Sequence, residues 1–257
     1  MLQKIFPLLL LLTGCTLQLE TLKAMAGNKE AQYQQGLKYQ YGGSVDHALA
    51  AKWFLKAADK GHDKAQYELG LMYGLGQVNT DLEGNRGNVE SETTYFTKSA
   101  EQGNPRAQYE LASLLRNSYD EEVVKQAFNW FLKSAHQGLP NAQYCLATMY
   151  DHGEGVLKDT KAAFRWYTLS ANNGVPEAQE ALAEIYYTGN LVQKDTESAY
   201  IWASLAEEKI AIPDSLKTNV LASKLSPKII ASANRTIQKL HEKIDRGSFG
   251  LEPVQDK

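Results

Sequence analysis

The sequence predicts an all-α solenoid of about five two-helix repeats, and two observations carry that prediction. An alanine opens the same short phrase at Ala31, Ala65, Ala107, Ala142 and Ala178, at intervals of 34, 42, 35 and 36 residues. A period of that length marks a supersecondary unit too small to bury its own apolar face, so copies stack until a continuous core exists. Inside a unit the apolar residues keep helical spacing twice. In the fourth copy Ala142, Leu146, Met149 and Tyr150 share one face, and Ala163, Trp166, Tyr167, Ser170 and Ala171 share the next. The first copy repeats the second pattern with Ala50, Trp53, Phe54, Ala57 and Ala58.

At the N-terminus Lys4 is the single charge in the first fourteen residues, followed by the apolar run Ile5 to Leu12 and then Leu12-Thr13-Gly14-Cys15. Eight apolar residues are far fewer than the roughly 20 that span a bilayer as a helix, so residues 1–14 are expected to be a cleaved export signal. Leu-Thr-Gly-Cys resembles a bacterial lipoprotein box. That resemblance implies that Cys15 becomes the first mature residue, with a diacylglyceryl group on sulfur and a third acyl chain on nitrogen. Three chains hold a protein far more firmly than one, which binds reversibly. Thr16 follows, and the absence of Asp there resembles outer-membrane rather than inner-membrane sorting. The expected address is the periplasmic face of the outer membrane, with residues 15–18 as the acylated cysteine and a short tether.

Residues 19–30 are expected to cap the stack as a half-repeat. Gly27 precedes Ala31 by four residues, the interval that also separates Gly61 from Ala65, Gly103 from Ala107, Gly138 from Ala142 and Gly174 from Ala178. Residues 19–26 therefore stand in the register of a second helix, and terminal units must cover an exposed end.

The five repeats are placed at 31–212. Gly42, Gly76, Gly153 and Gly189 hold the same place after the first helix, where the chain is expected to leave helical geometry with positive φ, and Ser118 breaks that column. Asp46, Asp159 and Asp195 stand seven residues before Trp53, Trp166 and Trp202, as N-caps of the second helices. Trp53, Tyr95, Trp130, Trp166 and Trp202 form an aromatic column expected to be buried between units.

Taken together, the phrase AQYELGLMYGLG at 65–76 and the run AAFRWYTLSANNG at 162–174 resemble the Sel1-like repeat, a relative of the tetratricopeptide repeat with slightly longer units. The resemblance covers about residues 19–212. It implies a right-handed α-solenoid whose concave surface binds proteins or organises complexes. The fifth copy departs from the pattern, with Glu180 in place of the tyrosine and Ile210 in place of the closing glycine, so the array is expected to end there. Beyond it, residues 213–245 keep helical spacing at Leu216, Val220 and Leu221, and Ser226-Pro227 opens a second stretch to about Ile244. These two helices are expected to close the stack, leaving 246–257 as a flexible tail.

Charge and chemistry narrow the function further. The formal net charge is −3, and removal of the leader makes the chain one unit more acidic. No Lys/Arg block offers a phosphate groove, so nucleic acid is not an expected partner. Once Cys15 is acylated, Cys145 is left without an internal disulfide partner. His47, His62, His136, His152 and His241 are scattered, and neither an HExxH motif nor a Gly-rich phosphate loop occurs. The sequence therefore assigns no catalytic residue, cofactor, metal or small-molecule substrate. Asp151-His152-Gly153-Glu154 is polar but sits at an ordinary repeat turn. Asn79, Asp81, Glu83, Gly84 and Glu90 match part of a calcium-loop template, yet position 1 lacks Asp and Arg86 stands where an apolar residue is usual, so a plain surface loop is the expectation.

The variable columns point to a partner surface. Positions four, seven and eleven of each phrase share one helix face and read Gln34, Leu37, Tyr41; Glu68, Leu71, Leu75; Glu110, Ser113, Asn117; and Cys145, Thr148, His152. Such a stripe across stacked helices suits a protein partner with some basic character. The same columns also fit an ordinary solvated face. The expected function is a non-enzymatic scaffold for protein partners, held to the membrane by its lipid anchor and positioning envelope or cell-wall assembly factors. Two alternatives stay open: a cell-wall-directed hydrolase and a surface-displayed adhesin or host-factor binder.

Overall fold

The computed structural model describes residues 19–78, 89–209 and 216–247, and among them every regular element is a helix. By clustering of its contacts the chain forms two compact units, Met1–Leu111 and Ala112–Lys257.

The first unit holds α1 (19–25), α2 (Lys29–Tyr41), α3 (His47–Ala58), α4 (Asp63–Gly74), α5 (Val89–Glu101) and the first part of α6 (Pro105–Arg116). Consecutive helices pair, α2 against α3 and α4 against α5. Phe54, Leu69 and Met72 are completely or almost completely buried in its core, with Tyr33, Leu37 and Tyr95 packed around them. The second unit holds α7 (Glu121–His136), α8 (Pro140–His152), α9 (Thr160–Asn172), α10 (Pro176–Thr188), α11 (Thr196–Lys209), α12 (Leu216–Ala222) and α13 (Pro227–Asp245). Here α8 pairs with α9 and α10 with α11. Along α13, Ala233 and Ile237 bury against Ile201 and Leu205 of α11. Among the described residues each unit is thus an all-α stack of helix pairs, with α1 ahead of them in the first unit and α12 and α13 after them in the second.

Turn chemistry follows the sequence at most positions. Asp46 accepts from the Leu49 amide, Asp159 from those of Lys161 and Ala162, and Asp195 from those of Glu197 and Ser198. Gly76, Gly153 and Gly189 have φ of 65°, 76° and 76°. Gly42 does not: its φ of −80° is extended, and its glycine is required for another reason, because a Cβ there would lie 2.2 Å from the Lys38 carbonyl oxygen. In the copy that lacks the glycine, Asp120 caps α7 by accepting from the Glu122 amide, and α7 starts earlier and runs longer than its counterparts.

The aromatic column needs correction. Trp53, Tyr95, Trp130 and Trp202 are only half-buried, and the fully buried wedge in three copies is the next residue, Phe54, Phe96 or Phe131. In three of these copies a lysine three residues on covers the ring, whereas Trp202 is half-buried with Leu205 in that place. Lys56, Lys98 and Lys133 lay their ammonium groups 4.4, 5.4 and 4.0 Å from the ring centroids of Trp53, Tyr95 and Trp130, so each ring keeps one face toward water beneath a cation. Leu169 takes the lysine position in the fourth copy, and there Trp166 is 1% exposed, edge-on to the His136 ring at 5.3 Å.

One column carries a role that spacing alone did not announce. The residue after each phrase alanine is glutamine, and Gln32, Gln66, Gln108, Gln143 and Gln179 are all buried. Each donates from Nε2 to the carbonyl of an alanine eight residues earlier: Ala24, Ala58, Ala100, Ala135 and Ala171, at 3.0, 3.2, 3.1, 3.3 and 3.1 Å. The acceptors lie at the C-terminal ends of the preceding helices, where each carbonyl also accepts from the amide of the turn glycine three residues on. The glutamine therefore stitches the end of one repeat to the start of the next.

Candidate protein-binding surface

In the first unit the stripe forms a patch of desolvated carboxylates and phenols. Glu68 is 9% exposed and accepts from the Tyr41 hydroxyl at 2.9 Å. Burial raises its carboxyl above the usual range, against the opposing pull of the Tyr41 hydrogen bond and the Arg106 charge. Tyr41 answers in kind, its phenol pushed up to about 12 by burial of the hydroxyl and by Glu68. Glu110 is half-buried and raised by burial and by the nearby negative charge of Glu92. Tyr33 and Tyr67 are raised by burial and by neighbouring carboxylates. Gln34 is exposed and hydrogen-bonds Glu30, Leu71 is half-buried and Leu75 is exposed. Carboxylates held partly out of water gain most from a partner that brings a hydrogen-bonding cation, so this patch favours lysine or arginine over neutral groups.

The second unit builds its part of the stripe differently. Ser113, Cys145 and Thr148 are half-buried and His152 is exposed. Thr148 donates to the Cys145 carbonyl at 2.7 Å, and His152 Nδ1 lies 2.8 Å from the Thr148 carbonyl, so these side chains are engaged along their own helix. Burial pushes the Cys145 thiol up to about 11 despite the Arg116 guanidinium beside it. That environment suppresses the thiolate, which is the nucleophilic form. Arg116 grips Glu154 through Nε at 2.8 Å and Nη2 at 2.7 Å, a two-point contact that fixes the turn after α8. Next to it a cleft of about 450 Å³ is lined by Asp151, Lys158, Tyr167, Glu184, Ile185 and Thr188, among others. Glu184 and Thr188 are positions seven and eleven of the fifth copy, which the sequence reading had set aside as divergent. Their register was the signal that would have found them.

Among the described residues no group of three or more His, Cys, Asp or Glu is arranged to hold a metal ion, and no helix is long and apolar enough to cross a membrane. Cys15 and the acylation box lie outside the described residues, as do Asn79, Asp81, Glu83 and Gly84 of the partial calcium template, whereas Glu90 falls in α5.

Stacked helix pairs with recurring small and aromatic columns and a glutamine stitch define a helical-repeat protein. The Sel1 repeat family matches at residues 29–62, 63–83, 94–104, 105–139, 140–175 and 176–209, more than half of the chain, and the protein belongs to that family. The segments 63–83 and 94–104 fall on one unit interrupted by the long insertion, and the fifth copy is matched in spite of Glu180. Among solved structures, a protective antigen of uropathogenic Escherichia coli with an SLR fold is 30% identical, with a TM-score of 0.77 over 93% of this chain. The match takes in 52% of the antigen, so this chain spans about half its length. A Sel1 repeat protein of Oxalobacter formigenes is 28% identical with a TM-score of 0.64, covering 83% of this chain and 89% of its own. An immunity protein of Pseudomonas aeruginosa, 21% identical with a TM-score of 0.50 over 82% of this chain and 78% of its own, shares the fold. No curated protein matches the chain.

Proposed function

We propose that this protein is a non-enzymatic interaction scaffold held by lipid on Cys15 at the periplasmic face of the outer membrane, where it positions envelope or cell-wall assembly factors. The observation that carries the binding role is the patch of buried Glu68 and half-buried Glu92 and Glu110 with the Tyr41 hydroxyl, which suits a basic segment of a protein partner. The address rests on Leu12-Thr13-Gly14-Cys15 after an apolar run too short to span a bilayer. Catalysis finds no support in the site: Cys145 has a raised thiol and His152 is turned to its own helix.

Two measurements test this. Cys15→Ala should abolish acyl labelling and release the protein from the membrane fraction, and unchanged labelling rejects the anchor. Affinity capture from crosslinked cells should lose its main partner when Glu110 is changed to Lys in a chain that still folds. Retention of every partner places the binding surface elsewhere. A second reading, display on the outer face, draws on the likeness to a protective antigen, and protease shaving of intact cells separates the two addresses.

A further inference from the structure

The first helix is mounted with its apolar side outward. Ala24 is buried, its carbonyl accepts from Gln32, and Thr21 accepts from Gln35, so one side of α1 is pinned to α2. Leu19, Leu22 and Met25 are 50, 61 and 70% exposed. With 3.6 residues per turn, Met25, Leu22 and Leu19 occupy an arc of about 120° that does not include the pinned Thr21 and Ala24. Single exposed apolar residues are ordinary, but three large ones on one arc of a seven-residue helix form a patch. Lys23 borders it, tied only by an exposed pairing with Glu20 at 2.7 Å, so its ammonium is easily turned toward another anion.

What covers that arc follows from the chain before it. Cys15 stands four residues ahead of Leu19. An extended chain spans at most about 3.6 Å per residue, so α1 begins within about 14 Å of the acylated cysteine, while the headgroup layer of one leaflet is itself about 5–8 Å thick. The tether therefore keeps the arc within reach of the headgroup layer and at high local concentration, which no soluble partner shares. We infer that the Leu19, Leu22 and Met25 face of α1 seats in the headgroup layer of the membrane that carries the Cys15 lipid, fixing the orientation of the first unit. This inference rests on the lipoprotein reading above.

The test uses the full-length lipidated protein in vesicles of phosphatidylethanolamine and phosphatidylglycerol, in a Cys145→Ser background. An environment-sensitive fluorophore is attached through Leu22→Cys or, as the control, through Leu75→Cys, which is similarly exposed and apolar. Nitroxide-labelled lipid should quench the probe at 22 at least about threefold more than the probe at 75, and Leu19→Ser with Met25→Ser should remove that difference while flotation persists. Equal quenching at the two sites, in protein whose acylation and flotation are intact, overturns the seating and leaves the anchor standing. Absence of lipid on Cys15 by mass spectrometry removes the anchor and the seating together. Shielding of the probe at 22 that grows with protein concentration in detergent, without vesicles, assigns the face to a second copy and also overturns it.

Discussion

The ring of Phe96 closes against the backbone of Gly70 so tightly that a Cβ on Gly70 would lie 2.5 Å from Cδ1 and Cε1. Gly36 and Phe54 repeat the arrangement at 2.4 Å, and alanine takes the glycine's place as Ala112, Ala147 and Ala183 in later copies. Gly70→Ala should therefore destabilise the protein by about 1–3 kcal/mol, the usual cost of an added methyl in a filled core. Phe96→Leu in the same chain should recover part of that loss. Chemical denaturation measures both, and a Gly70→Ala midpoint equal to wild type would mean that the ring moves aside freely.

Adjacent aromatics should differ sharply in cost. Phe131 is 1% exposed, and Phe131→Ala should remove about 3–5 kcal/mol. Trp130 is half-buried beneath Lys133, so Trp130→Ala should remove only about 1–2 kcal/mol, the cation–π contact included. Equal losses in urea unfolding would return Trp130 to the core.

Periodicity made the helix pairs legible, because the spacing of Ala31 to Ala178 and the capping aspartates are local properties that a single chain displays. It did not separate Trp130 from Phe131. Both fit a helical face, and spacing does not show that Lys133 covers the Trp130 ring while Phe131 turns inward. The site was harder to read for a similar reason. Glu68 and Glu110 share a column with Gln34 and Cys145, yet their depth is set by neighbours such as Tyr41 and Glu92 that come from other helices. Because Glu68 is buried, reversing its charge should destabilise the fold as well as alter the surface.

The pH dependence of stability should reveal that burial. The Glu68 carboxyl is raised in the folded state, so the folded chain favours its protonated form relative to the unfolded chain. Its adverse contribution is full above the folded-state value and is relieved as pH falls through that value toward the unfolded one. Glu68→Gln removes the titrating charge and should gain most over wild type near pH 7, with the gap narrowing toward pH 4.5. Thermal melts across that range check the slope. A gap that widens on acidification would mean that the Tyr41 hydrogen bond outweighs desolvation.

Cys145 should be a sluggish thiol. With its folded value pushed to about 11, alkylation by iodoacetamide in the native protein should stay slow at pH 8 and climb only toward pH 10–11, whereas urea-unfolded protein reacts readily at pH 8. Fast native labelling at pH 7.5, followed by mass spectrometry, would show that Arg116 stabilises the thiolate more than burial suppresses it.

The glutamine stitch has an evolutionary corollary. Every stitch closes over eight residues, from a helix end to the helix that follows it. A recombination event that excises one whole period brings a new alanine carbonyl before the next glutamine, and the junction heals with the bond it would have had. Duplication works the same way in reverse. The gene can therefore vary the number of units without inventing a new joint, and selection is left to act on reach: how far from its first helix the array carries its binding residues.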